Sequence, residues 1–253
     1  MTRFSKPKTI LNYKLYHSLK STKHPLKAMT SFILPPIPTT FAKAAIMPHW
    51  FAAMKSEIQA LLDMGTWSLC PRPSNRNIIK NKWVYQVKHH SDGSIKRYKT
   101  RLVAKDFQQR DGIDYKETFS TVIKPTIIRI LLSLAIHYNW PFKQLDVSNA
   151  FLHGHLSKEV FMEQPTIFVD SMLPNHVCKL KNAIYGLKQA PRAWFQRLSQ
   201  AFLHLGFIES LVNTSLFILH QDAVHMFILI YVDDIIIIGT DPTVIASVVS
   251  HLQ

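Results

Sequence analysis

An α+β fold is what this sequence predicts, on three observations. Helix-type and strand-type segments mix without a regular βαβ alternation. Asp92-Gly93 joins two strand-like runs in the manner of a hairpin. The densest apolar stretch, Phe227 to Ile238, is broken in its middle by Asp233-Asp234. In chain order, residues 1–47 contain no Asp or Glu, and their Lys residues are scattered among Ser, Thr and Pro up to Pro35-Pro36-Ile37-Pro38. That stretch reads as a solvated basic linker. A transit peptide shares the composition, but Arg3 is its one Arg and no amphipathic period runs through it.

Order is expected from Pro48. Trp50, Met54, Ile58 and Leu61/Leu62 follow helical spacing, and Gly65 marks the stop. Ile78 to Lys88 reads as a strand, Ser91 to Ser94 as a turn, and Ile95 to Val103 as the returning strand. Pro125 opens a helix through about Tyr138 that is apolar nearly all round, which predicts burial. Phe142 to Val147 and Glu159 to Met162 read as strands. Pro191 starts an amphipathic helix with Trp194, Leu198, Phe202 and Leu205 on one face, closed by Gly206. Leu216 to Leu219 and Met226 to Ile238 supply the last strands, and a final helix begins near Pro242.

The 253 residues carry 30 Lys+Arg against 16 Asp+Glu, a formal charge of +14, and 47% of them are hydrophobic. Such a chain can bury a real core, and its charge attracts polyanions. Cys70 and Cys178 are far apart and form no CxxC spacing, so neither a disulfide framework nor a zinc site follows. This suits a reducing intracellular setting, with a cytoplasmic particle and the nucleus both open. No run reaches the ~18–20 apolar residues of a membrane span. Met226 to Gly239 comes closest, but its central acids mark a core hairpin.

Two adjacent carboxylates between buried strands are costly unless something cationic neutralises them. A tight hairpin would put Asp233 and Asp234 at the turn, and Asp146, in Gln144-Leu145-Asp146-Val147, is a second apolar-flanked acid. Three such carboxylates brought together would hold divalent metal ions, the machinery of nucleotidyl transfer. Two ions roughly 3.5–4 Å apart can activate a 3′-hydroxyl and stabilise the leaving pyrophosphate. Magnesium suits hard oxygen ligands, with manganese as a possible substitute. An Asp-Asp pair alone is more often an ordinary turn. In the strand after Asp92-Gly93, Arg97, Lys99 and Arg101 alternate and so share one face. A cationic row suits a triphosphate, with Arg101 the first choice and Lys99 the second; the plain alternative is a charged edge strand.

The resemblance then becomes specific. Asn81-Lys82-Trp83-Val84-Tyr85, Arg97-Tyr98-Lys99, Arg101-Leu102-Val103-Ala104-Lys105, Gly112-Ile113-Asp114-Tyr115 and Glu117-Thr118-Phe119-Ser120 come first. Gln144 to Val147, Asn149-Ala150-Phe151-Leu152-His153-Gly154, Tyr185-Gly186-Leu187-Lys188-Gln189-Ala190-Pro191-Arg192-Ala193-Trp194 and Tyr231-Val232-Asp233-Asp234 follow. In this order, from about Trp50 to about Gly239, they resemble the reverse transcriptase of copia-type long-terminal-repeat retrotransposons. Met1 to Lys8 resembles the linker that precedes this region in the Pol polyprotein. The resemblance implies a right-hand polymerase with fingers and palm over residues 48–253, copying RNA into DNA from dNTPs on a primer–template with two magnesium ions. It implies Asp146, Asp233 and Asp234 as catalytic metal ligands. Phe151 would stand where related polymerases place an aromatic gate under the sugar, though a core Phe is an equal reading. The run from Tyr185 would supply nucleotide and template contacts: Gln189 toward the nucleotide, Lys188 and Arg192 toward the template. Trp194 reads as packing, and His89-His90 as surface.

Three positions depart from the family pattern. Asp106 stands where Gly is usual, Thr121 where Pro is common, and Asn213 where Asp is usual. The sequence ends soon after the acidic hairpin, so the thumb is expected to be missing, as are protease, integrase and ribonuclease H regions. The rival expectation is a non-catalytic relic or nucleic-acid-binding module that keeps the palm fold. A metal-dependent nuclease also uses clustered carboxylates but leaves the basic hairpin and Phe151 unexplained.

Overall fold

The computed structural model describes residues 36–252. The first part of the basic stretch, with the linker-like Met1 to Lys8, lies outside them. Five helices are described: α1 (Phe41–Ala45), α2 (Pro48–Asp63), α3 (Pro125–His137), α4 (Ala190–His204) and α5 (Pro242–His251). The strands are β1 (Trp67–Pro71), β2 (Ile78–Ile79), β3 (Asn81–His89), β4 (Ile95–Ala104), β5 (Phe142–Asp146), β6 (His155–Met162), β7 (His176–Asn182), β8 (Ile208–Glu209), β9 (Leu216–Gln221), β10 (Val224–Tyr231) and β11 (Asp234–Gly239). Structure begins ahead of the expected Pro48: α1 lies inside the stretch read as linker. Thr40 caps it by accepting the Lys43 N–H, and Ala44 is fully buried beside Trp50 and Met54.

A five-stranded sheet runs β5-β11-β10-β9-β8, antiparallel throughout. Its side chains alternate between two cores. Ile235, Ile237, Ile228, Ile230, Phe217 and Leu219 join Trp194, Leu198 and Phe202 of α4 and Ile245, Val248 and Val249 of α5. Ile236, Ile238, Phe227, Leu229, Leu216 and Ile218 face Leu131 and Ala135 of α3. Burial on both faces explains why these strands read as unbroken apolar runs; each fully buried Ile or Phe contributes ~1.5–3 kcal/mol. Among the described residues no helix is long and apolar enough to cross a membrane.

Helix α3 departs from its expected full burial. It covers one sheet face only, so Ile130 (54% exposed) and Ile136 (64%) stay in solvent. A second sheet, β1-β7-β6-β2, packs with Ile58 and Leu61 of α2 and Ala190 and Ala193 of α4. The third is the β3–β4 hairpin, whose Trp83, Tyr85 and Tyr98 rest on the α1–α2 core. The run read as one strand from Ile78 is two, divided at Lys80: Ile78 and Ile79 pair in parallel with β6, while Asn81 onward pairs with β4.

The three departures have local roles. Asp106 opens a short exposed 3-10 turn, Asp106–Gln108, and is not among the residues with positive φ, so Gly's freedom is not required there. Thr121 accepts the Thr214 hydroxyl at 2.8 Å. Asn213 accepts the Ser215 N–H at 2.9 Å and donates to the Val122 carbonyl at 3.2 Å.

Gly154 fixes how close α4 comes to the turn after β5. A Cβ there would lie 2.6 Å from the Trp194 nitrogen and 2.7 Å from the Ala193 carbonyl carbon. Backbone cannot yield as a flexible side chain does. Gly154→Ala is expected to lower unfolding free energy by about 1–3 kcal/mol, read from the urea midpoint. An unchanged midpoint would show that α4 moves off at no cost.

Candidate active site

The antiparallel pairing of β5 with β11 sets Asp234 opposite Asp146. Directly opposed residues put their side chains on one face, with Cα atoms ~4.5–5.5 Å apart. Tyr231 pairs with Asp234 to close the β10–β11 hairpin, leaving Val232 and Asp233 as its two-residue turn. The expected tight hairpin is thus present, with Asp233 in its turn and Asp234 one place on, as the first residue of β11; Asp146, remote in sequence from both, stands at the same sheet end. Asp234 Oδ1 accepts a hydrogen bond from Gln144 Nε2 at 2.9 Å.

The turn is strained. Two-residue hairpins favour positive φ at the first central position, which Gly or Asn usually supplies. Here it is Val232, at φ +56°, a conformation costing a β-branched residue about 1–3 kcal/mol. Both turn carbonyls are pinned: Val232 O accepts the Trp194 indole N–H at 2.8 Å, and Asp233 O accepts the Val147 N–H at 2.9 Å. Trp194 does pack in the core, as its helical spacing suggests, and it also holds the acidic turn. Nothing in that spacing announces the bond.

A cleft of about 310 Å³ opens against this sheet end. Asp146 and Asp233 line it, and from the facing hairpin so do Arg97, Lys99 and Arg101. The alternating cationic row therefore faces the carboxylates across the cleft. The Lys99 ammonium is held below its usual range, first by burial and then by repulsion from Arg101, Arg97 and Lys88, with Glu57 opposing. Glu57 of α2 is a cleft acid that no motif marked. Burial pushes its carboxyl up, against the Leu102 N–H donated to Oε1 at 3.3 Å and the charges of Arg101 and Lys99. Tyr185, at the start of the Tyr185-to-Trp194 run, lines the cleft too.

Other expected site residues lie elsewhere. Phe151 sits between two cores, edge-to-face with Tyr185 at 5.1 Å, and lines an adjoining apolar cavity with Val232, Trp194 and Phe195. Gln189 does not line the cleft. It is buried, its Oε1 taken by Gln109 at 2.9 Å and its Nε2 given to the Asp114 carbonyl at 3.0 Å. Lys188 donates to the Tyr115 hydroxyl at 3.1 Å, and Arg192 pairs with Glu117 and donates to Phe119 O at 3.2 Å. All three tie the 109–119 segment to the start of α4.

Among the described residues no group of three or more His, Cys, Asp or Glu side chains could hold a metal ion unaided. The acids at the sheet end are hard oxygen donors. They fit magnesium, which takes one or two protein carboxylates and fills its shell with water and phosphate oxygens.

The family model described as reverse transcriptase (RNA-dependent DNA polymerase) matches residues 64–253. Retrovirus-related Pol polyproteins from transposons RE1 and RE2 of Arabidopsis thaliana are 49% and 48% identical over 85% of the chain. That from transposon TNT 1-94 of Nicotiana tabacum is 39% identical over 79%. The chain spans 15% of the length of each.

Trp194→Phe keeps an aromatic ring in the core but leaves a gap where the rest of the indole stood, and it removes the donor to the Val232 carbonyl. It is expected to cost about 1–3 kcal/mol of stability in urea titration. A loss below a few tenths would show that something else holds the turn.

Proposed function

The chain belongs to the reverse transcriptase (RNA-dependent DNA polymerase) family, among the copia-type Pol polyproteins, and from that premise we propose that its acidic sheet end is a site of nucleotidyl transfer. On this reading the five-stranded sheet is the palm and the β3–β4 hairpin belongs to the fingers. The single observation that carries it is the cleft shared by Asp146, Asp233, Lys99 and Arg101. Carboxylates at the sheet end and a cationic row on the hairpin, with Glu57 beside that row, suit a substrate that brings polyphosphate and needs divalent ions.

Asp146 and Asp233 would hold two magnesium ions, or manganese in their place. Asp234, bonded to Gln144, would assist and keep the hairpin end in register. When bound, the ions supply charge neutralisation at the phosphates and acidify the attacking primer hydroxyl. The protein's part is placement. Lys99 and Arg101 receive the triphosphate of a dNTP, Arg101 through its planar fork. Tyr185 would bound the space for the sugar, with Phe151 backing its ring from the adjoining cavity. Lys188 and Arg192 hold the 115–119 segment as a wall for the RNA template, and Gln189 buttresses it from within. The net charge of +14 draws the primer–template to this surface.

The competing reading is a nucleic-acid-binding module that keeps this fold without chemistry. Primer extension on an RNA template separates the two. The catalytic reading expects magnesium-dependent extension that stops with chelator and falls at least about 100-fold in Asp233→Asn, the scale on which a directly acting group is lost. Equal, poor extension by both proteins, with primer–template binding intact, would favour the module.

A further inference from the structure

Arg101 reaches the cleft from β4, near enough to Glu57 for its charge to be felt there. Among the described residues it forms no ion pair, and its Nε is buried without a hydrogen-bond partner. A buried polar atom left unpaired is unfavourable, and an incoming oxygen relieves it. Glu57, the acid lining the same cleft, is bonded to the Leu102 backbone. What supports the guanidinium is an aromatic face: its Cζ stands 4.1 Å from the centre of the Tyr185 ring.

That ring is fixed on three sides. The Tyr185 carbonyl accepts the Ala104 N–H at 2.8 Å, which ties the residue to the end of β4. Gly186 follows at φ +88°, so near the same strand that a Cβ would meet Ala104 O at 2.3 Å and Val103 Cγ1 at 2.5 Å. Phe151 packs edge-to-face on the other side. The phenol hydroxyl takes no part in this. Burial pushes it up, partly offset by Arg101, so it stays protonated at neutral pH and offers the cation an uncharged face.

We propose that Tyr185 is a positioning residue: its ring holds the Arg101 guanidinium in the cleft that Asp146 and Asp233 line, with its donors kept for a polyphosphate. This rests on the reading of the cleft as a nucleoside triphosphate site. It adds a residue that acts through Arg101 and leaves the chemistry to others. Without the ring the long Arg side chain would sample many rotamers, and ordering it would fall to the ligand.

The probe is inorganic tripolyphosphate, followed by calorimetry with the wild-type chain and four variants. Tyr185→Leu removes the aromatic face and is expected to weaken binding about tenfold, the range of a partly desolvated cation–π contact. Arg101→Ala weakens it at least as much. The double variant is no weaker than Arg101→Ala alone, because the ring acts only through the guanidinium. Tyr185→Phe, which keeps the ring, binds within about twofold of wild type. Losses that add in the double variant, wild-type affinity in Tyr185→Leu, or no binding by wild type would each overturn the proposal. Should Tyr185→Leu not fold, the Arg101 Nε–H resonance of the wild-type chain decides: ring shielding and movement on adding tripolyphosphate support the contact, and an ordinary unmoved resonance overturns it. A chain that takes tripolyphosphate through Tyr185 and Arg101 yet extends no primer would sink the polymerase reading while leaving this one standing.

Discussion

The register between β5 and β11 is the constraint on which the site depends. A sheet has a side-chain period of two, so a slip of one residue would turn Asp146 away from Asp234 and drive Leu145 out of the core. What forbids that slip is β5, where buried Leu145 stands between Gln144 and Asp146, together with the Val147 N–H bond to the Asp233 carbonyl; Ile235 to Ile238 serve either core alike. The same pattern that stabilises the sheet therefore sets the meeting of its acids. Packing and chemistry are specified by one alignment.

Around that alignment the cleft is arranged as opposed charges on separate supports. The carboxylates stand at strand ends of the five-stranded sheet, and the cations stand on a two-stranded hairpin braced by α1 and α2. On the hairpin, burial first and then repulsion from Arg101, Arg97 and Lys88 hold Lys99 below its usual range. On the proposed reading, a nucleotide carrying divalent ions would bring each side of the cleft a charge of opposite sign.

Much of this was legible in the sequence. Helices α2 and α4 and the β3–β4 and β10–β11 hairpins follow from local periodicity and turn chemistry, which need no knowledge of tertiary neighbours. Strands β1 and β7 carry no such local signal: β1 ends in Pro71, and β7 carries Lys179 and Lys181 between its buried residues, so neither offers a long apolar run. The burial of Gln189 could not be read, because its partners Gln109 and Asp114 are remote in the chain and meet it only in the fold. Trp194 shows the limit most plainly. Its helical spacing gives its place in the core but says nothing about where the indole nitrogen points.

A sheet walled by helices on both broad surfaces has only its rim in water. Interior substitutions along β10 and β11 must satisfy two packed layers at once, so there is little room to vary them. The rim residues answer to solvent and substrate alone. Variation in such a chain is steered outward, and its chemistry can be retuned one side chain at a time while the slab behind it stays frozen.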